Sequence, residues 1–142
     1  MLQEIKISDY LTRYGENWAD SLPDNCPPED VKISEGDLFF RFTKNEDSII
    51  DDDWKSYLLL YPEREYYGEN LVNAAGLSML DDLDDAKNQL RLPYIKKQFK
   101  GLAQISIIPE DGVVKHTGDK IHHYTWWRTE KCNLSKAQMV CD

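Results

Sequence analysis

GLAQISIIPEDGVVKHTGDKIHHYTWW, residues 101–127, reads as three short strands joined by two turns. Over 102–108, Ala103, Ile105 and Ile107 fall on one side and Gln104 and Ser106 on the other, the two-residue period of a half-buried strand. Pro109-Glu110-Asp111-Gly112 supplies a turn: Pro presets φ, Gly accepts positive φ, and the two acids are expected to stay in water. Residues 113–117 return, Gly118-Asp119 turns again, and 121–127 makes the third strand. Its period sends His122, Tyr124 and Trp126 to one face and Ile121, His123, Thr125 and Trp127 to the other. One face is expected to be core, the other a surface or cleft.

Working outward, residues 38–43 form a fourth strand, with Leu38, Phe40 and Phe42 opposite Phe39, Arg41 and Thr43. Leu83, Ala86 and Leu90 recur at helical spacing, and the acids of 81–85 gather where a first turn leaves N–H groups unpaired. The reading is a helix over 81–91 with Met79-Leu80 at its start, ended by Pro93, then another turn or two over 94–99. Ser8-Asp9 caps a first helix reaching about residue 20, and the prolines of Leu22-Pro23-Asp24-Asn25-Cys26-Pro27-Pro28 end it. Asp51-Asp52-Asp53 caps residues 54–61, which read as helix or strand. Residues 63–70 are a loop with Gly68 as a hinge, and the tail holds a last helical turn over 135–140. The fold class is α+β in a single domain: a mainly antiparallel sheet, with strands near 38–43, 102–108, 113–117 and 121–127, packed by a few short helices.

A chain of 142 residues can bury roughly 70% of its unfolded surface around one core. With 41% hydrophobic residues it is too apolar to be disordered. No apolar run nears the ~20 residues of a membrane span, and no basic stretch followed by an apolar one opens the chain. A cytoplasmic protein with reduced thiols at Cys26, Cys132 and Cys141 is expected, since the cysteines are odd in number and lack CxxC spacing. The net charge of −9 is uneven: residues 1–85 carry 21 acids and 7 bases, residues 86–142 carry 5 acids and 10 bases. The acidic part would repel nucleic acid, so direct binding to it is not expected. The basic part either attracts a phosphate-bearing ligand or pairs with the acidic part inside one fold.

His122 or His123 is the candidate for proton transfer near neutral pH; alternation allows only one of the two in a site. Tyr124, Trp126 and Trp127 are candidates to stack on a ring, or else they fill core. Arg41, an arginine inside an aromatic strand, must reach solvent, a carboxylate or an anionic ligand, with an internal salt bridge as the default. Gly76-Leu77-Ser78 before a helix could set N–H groups against an anion. The His and Cys residues lack zinc spacing, and neither Asp run follows a calcium-loop pattern, so no metal is expected.

An Arg on an early strand (Arg41), a Gly-x-Ser element in mid-chain (Ser78) and a late polar-aromatic strand (His122 to Glu130) resemble the order of parts in ADP-ribosyltransferase-type domains. The resemblance covers isolated positions and lacks that family's Ser-Thr-Ser strand and Glu-x-Glu pair. It implies NAD as cofactor, with Arg41 and Ser78 among the residues that hold it. Two readings follow. The first is a small acidic protein-binding module, an inhibitor- or immunity-type partner of a basic protein, with no cofactor. The alternative is an enzyme using a nucleotide or NAD, with Arg41 and a His/Trp strand lining its pocket. An enzyme needs polar groups converging in a concave site, and a binder needs an exposed patch.

Overall fold

Strand β3 (Asp37–Thr43) pairs with β5 (Gly101–Ile107) in antiparallel register from Asp37↔Ile107 to Thr43↔Gly101. This pairing joins the two alternating stretches that the sequence marks most clearly. The structure, a computed structural model, describes residues 1–140, so Cys141 lies outside the described residues. Around β3 and β5 are β1 (Leu2–Lys6), β2 (Asp30–Ser34), β4 (Leu77–Leu80), β6 (Gly112–His116), β7 (His123–Arg128) and β8 (Gln138–Met139). They form one curled antiparallel sheet in the order β1-β2-β6-β7-β4-β3-β5-β8. Five short helices accompany it among the described residues: α1 (Ile7–Tyr14), α2 (Tyr57–Leu60), α3 (Glu69–Ala74), α4 (Leu83–Leu90) and α5 (Pro93–Lys96). The fold is α+β, as the sequence implied. Among the described residues no helix is long and apolar enough to cross a membrane.

Adjacent residues of β7 enter different cores. Tyr124 and Trp126 join Phe39, Leu77, Met79 and Ile105 on one face, while Trp127 packs with Tyr10, Val31, Ile33 and Val113 on the other. A third cluster gathers Phe40, Leu80, Ala86 and Leu102 beneath α4. Each indole N–H finds a carbonyl, Trp126 Nε1 donating to Asp111 at 3.2 Å and Trp127 Nε1 to Val72 at 3.1 Å. Two glycines let the chain press against this strand. A Cβ at Gly76 would sit 2.4 Å from Thr125 Cγ2, and one at Gly112, where φ is +133°, would sit 2.1 Å from the Trp127 carbonyl oxygen.

Several local expectations are corrected. Met79 and Leu80 belong to β4, because Leu77 and Met79 face one core while Leu80 faces another, a two-residue period. The helix starts later, where the Asp82 carboxylate accepts the Asp85 N–H at 2.8 Å. Strand β7 begins at His123, and Ile121 and His122 lie in the turn before it. Helix α1 stops at Tyr14, before Gly15 with φ +88°, and Trp18 instead bridges to Thr129. Asp51–Trp54 is itself a 3-10 turn, and Ser56 caps the following α2 by accepting the Leu59 N–H. Residues 134–136 form a 3-10 turn before β8, in place of the helical turn expected over 135–140. Asp111 is buried, not solvated: its carboxylate accepts the Ile108 N–H at 3.0 Å and pairs with Lys136.

Gly112→Ala should destabilise the fold by on the order of 3 kcal/mol, since positive φ and a clash with backbone act together. Urea denaturation of the variant and the wild type measures it; a loss below about 1 kcal/mol would mean that β6 can shift away from β7.

Candidate functional site

Along β7, β4 and β3, the register aligns His123 with Leu80 and Leu80 with Phe40, so these side chains form one cross-strand row on a single sheet face. That row lies along a cavity of about 430 Å³. Phe42 of β3 and Ser78 of β4 extend its floor. Helix α2 and the residue after it supply Tyr57, Leu60 and Tyr61, α4 supplies Gln89, and α5 with its following turn supplies Ile95, Gln98 and Phe99. Lys44, Asp52 and Asp53 complete the lining from the segment after β3. Phe42 and Phe99 meet at a centroid distance of 5.6 Å, Tyr57 and Tyr61 stack at 6.1 Å, and the Arg64 guanidinium lies 3.9 Å from the Tyr61 ring centroid.

Arg41 builds one wall. Its Nε–H donates to the Asp53 carbonyl, one Nη to the Ser78 carbonyl at 2.9 Å and the other to the Lys55 carbonyl at 3.1 Å. The partner is therefore main chain, not the carboxylate of a salt bridge. A guanidinium suits this role because its five donors point outward in one plane. Lost hydration pulls it down to about 10, against the pull of Tyr57 and Asp53, and it stays charged at neutral pH. The buried Asp53 carboxylate secures the same segment, accepting the Ile50 N–H at 2.8 Å and the Lys44 N–H at 3.0 Å. Asp53 thus caps the start of the 3-10 turn through the Ile50 N–H and, through Lys44, also closes the loop that follows β3.

The two histidines separate. His123 lines the cavity, and its Nδ1 lies 3.0 Å from both the Thr117 carbonyl and the Thr117 hydroxyl. A carbonyl can only accept, so Nδ1 carries the proton and Nε2 is left as an acceptor. Nε2 has no protein hydrogen-bond partner among the described residues. Burial lowers the His123 pKa, with His116 and Lys120 adding to the effect and the Thr117 carbonyl opposing it. His122 instead holds Asp81 at 2.7 Å on the surface, and that hydrogen bond raises its pKa. Thus Arg41, Ser78 and His123 line one cavity. Tyr124, Trp126 and Trp127 are buried in the cores and do not line it. Ser78 lies within a strand rather than before a helix, so its neighbourhood offers no helix N-terminus to an anion.

Sequence reading overlooked the outer wall, namely Tyr57, Tyr61, Gln89, Ile95, Gln98 and Phe99. The signal was present in Tyr57/Tyr61 and Ile95/Phe99, two aromatic or apolar pairs at i, i+4 spacing. Cys26 and Cys132 are free thiols, raised by burial to about 11 and about 12, which suits inert packing. Among the described residues no group of three or more His, Cys, Asp or Glu side chains is arranged to hold a metal ion. Comparison with protein-family models, with curated proteins and with solved structures finds no match.

Arg41→Lys should cost roughly 2 kcal/mol in urea denaturation, because one ammonium cannot serve three carbonyls set apart in a plane. An unchanged midpoint would show that the carbonyls are satisfied by water. The histidines should titrate on opposite sides of 6.5 when followed by NMR. His123, depressed, contributes stability above 6.5 that is lost as pH falls through its folded value. His122, raised, contributes below 6.5, and that contribution disappears as pH rises through its folded value. Matching titration curves would contradict the two environments.

Proposed function

We propose that the chain binds a small planar heteroaromatic molecule of nucleoside size in the cavity between the sheet and helices α2, α4 and α5. The observation that carries the reading is the convergence of side chains from β3, β4, β7 and three helices on one hollow of about 430 Å³. That volume falls within the ≈300–1,000 Å³ typical of small-molecule sites. Phe40, Phe42, Tyr61 and Phe99 offer ring faces and edges to a flat ligand. Gln89 and Gln98 can each donate and accept, as the edge of a base requires, and the Ser78 hydroxyl can do either. His123 adds a neutral acceptor, which its burial keeps deprotonated near neutral pH. Arg41 supports the wall in this reading, and NAD or another nucleotide-bearing molecule is the ligand class to examine first.

A second reading rests on a different surface. Tyr67, 72% exposed, donates its hydroxyl to Glu65 at 3.1 Å, and Glu63 and Glu69 are exposed in the same stretch at the start of α3. An exposed aromatic ring in an acidic stretch fits a basic protein partner, whose capture should weaken as salt screens the charges.

Isothermal titration with the common nucleosides, their phosphates and NAD tests the first reading. At least one should bind the wild type; Gln89→Trp, which fills the cavity from a half-exposed helix position, should abolish the heat while circular dichroism stays unchanged. Binding that survives Gln89→Trp would locate the ligand elsewhere.

A further inference from the structure

The cavity has a neighbour. A second hollow of about 930 Å³ runs along the outer side of α4 and α5 toward the start of β5, and Phe99 lines both. The stretch from α4 through α5 to Lys100 divides its side chains between them. Gln89, Ile95 and Gln98 line the first hollow; Lys87, Arg91, Lys96 and Lys100 line the second. The first is walled by rings and amides, whereas the second is basic, with Glu46 and Asp47 as its opposing carboxylates. A planar group and an anionic group are thus invited side by side, with one aromatic ring between them.

The chemistry of the anion follows from where the cations stand. Arg41, the cation of the first cavity, has three of its donors engaged by the carbonyls of Asp53, Ser78 and Lys55. A fork holding main chain in this way does not grip a phosphate with two parallel bonds. Arg91 is exposed, and a single bond of 3.4 Å to the Asn88 side chain leaves most of its donors for another partner. The Lys100 ammonium donates one proton to the Lys96 carbonyl at 2.6 Å, which fixes it at the end of α5 with two donors left. Both lysines are exposed. One planar fork beside two ammonium groups is the donor set that suits a phosphate.

We infer that the ligand carries a phosphate, and that Arg91, Lys96 and Lys100 hold it beyond Phe99 while its planar part occupies the cavity. The inference rests on the planar-ligand reading and narrows it from nucleosides to nucleotides.

Titration calorimetry separates the two claims. Wild-type protein is titrated at low salt with adenosine, guanosine, cytidine and uridine, with the matching 5′-monophosphates, and with ribose 5-phosphate alone. For the base that fits, the monophosphate should bind about tenfold or more tightly than its nucleoside. In Arg91→Gln/Lys96→Gln/Lys100→Gln the two should bind alike, at the affinity of the wild-type nucleoside. Adding salt to the wild type should narrow the same gap, because the three cations are exposed. Equal affinities of nucleoside and monophosphate in the wild type would overturn the phosphate site and leave the planar-ligand reading standing. A phosphate advantage that persists in the triple variant would overturn the assignment to this groove. Binding of ribose 5-phosphate as tight as that of the monophosphate would sever the phosphate site from the cavity and overturn the composite ligand. No binding by any of these compounds would overturn both readings. Should the triple variant misfold by circular dichroism, Lys96→Gln and Lys100→Gln singly must each reduce the gap, and failure of both to do so counts against the groove.

Discussion

Register on β7 is the constraint on which the molecule depends. Trp126 and Trp127 are consecutive and fully buried, yet they belong to different cores. A slip of one residue would exchange the two indoles between faces and drive His123 and Thr125 into the Phe39 core. Several contacts work against such a slip. Each indole N–H has its own carbonyl, Gly76 and Gly112 approach the strand too closely for any side chain, and β4 and β6 pair with it on both edges. The same register brings His123 to the end of the Phe40–Leu80 row. The site's histidine is therefore positioned by tryptophans that never reach the site.

Arg41 shows a second constraint, the competition between structure and recognition for one side chain. Residues 44–56 contain little regular structure, and their carbonyls and N–H groups near the sheet need partners. Arg41 and the Asp53 carboxylate meet this need from opposite sides, one with N–H groups and one with oxygens. The wall they hold is what makes the space beside Phe40 and Phe42 a cavity rather than an open face. An arginine so engaged contributes to binding chiefly by shape. Under the proposed function, recognition of charge would come from cations with fewer internal partners, Arg91 at the end of α4, Lys96 on α5 and Lys100 after it.

How far the sequence discloses this can be traced residue by residue. The strands at 38–43 and 102–108 are visible because both faces differ in character and turn residues bound them. The alternation that separates Trp126 from Trp127 is visible for the same reason. Strand β4 is not, because its four residues run into an aspartate cluster whose charge reads as a helix start; only the side chain of Asp82 decides where that helix begins. Strands β1 and β8 escape notice because they are edges whose side chains are largely solvated, so burial imprints no period on them. At the site, Arg41, Ser78 and His123 stand out as polar residues in apolar settings. Gln89 and Gln98 look like ordinary surface, and only the packing of α4 and the α5 segment over the curled sheet brings them to the cavity's edge.

The uneven charge of the chain takes on a spatial meaning through this arrangement. Lys6–Asp30 and Lys55–Asp52 are ion pairs within the acidic part, Lys136–Asp111 lies within the basic part, and His122–Asp81 joins the two. Bases at Arg91, Lys96, Lys97 and Lys100 crowd a short stretch of helix and turn on the surface. A protein of net charge −9 repels a distant anion, but that repulsion is screened over about 8 Å at physiological ionic strength. Within that distance the nearby cations outweigh the remote carboxylates. The field that the proposed phosphate would meet at the groove is set by local bases and opposed, among the described lining residues, by Glu46 and Asp47. In the proposed reading net charge would act as a filter: it would disfavour long polyanions, which must also cross the acidic surface, while leaving a single small phosphate ester free to enter.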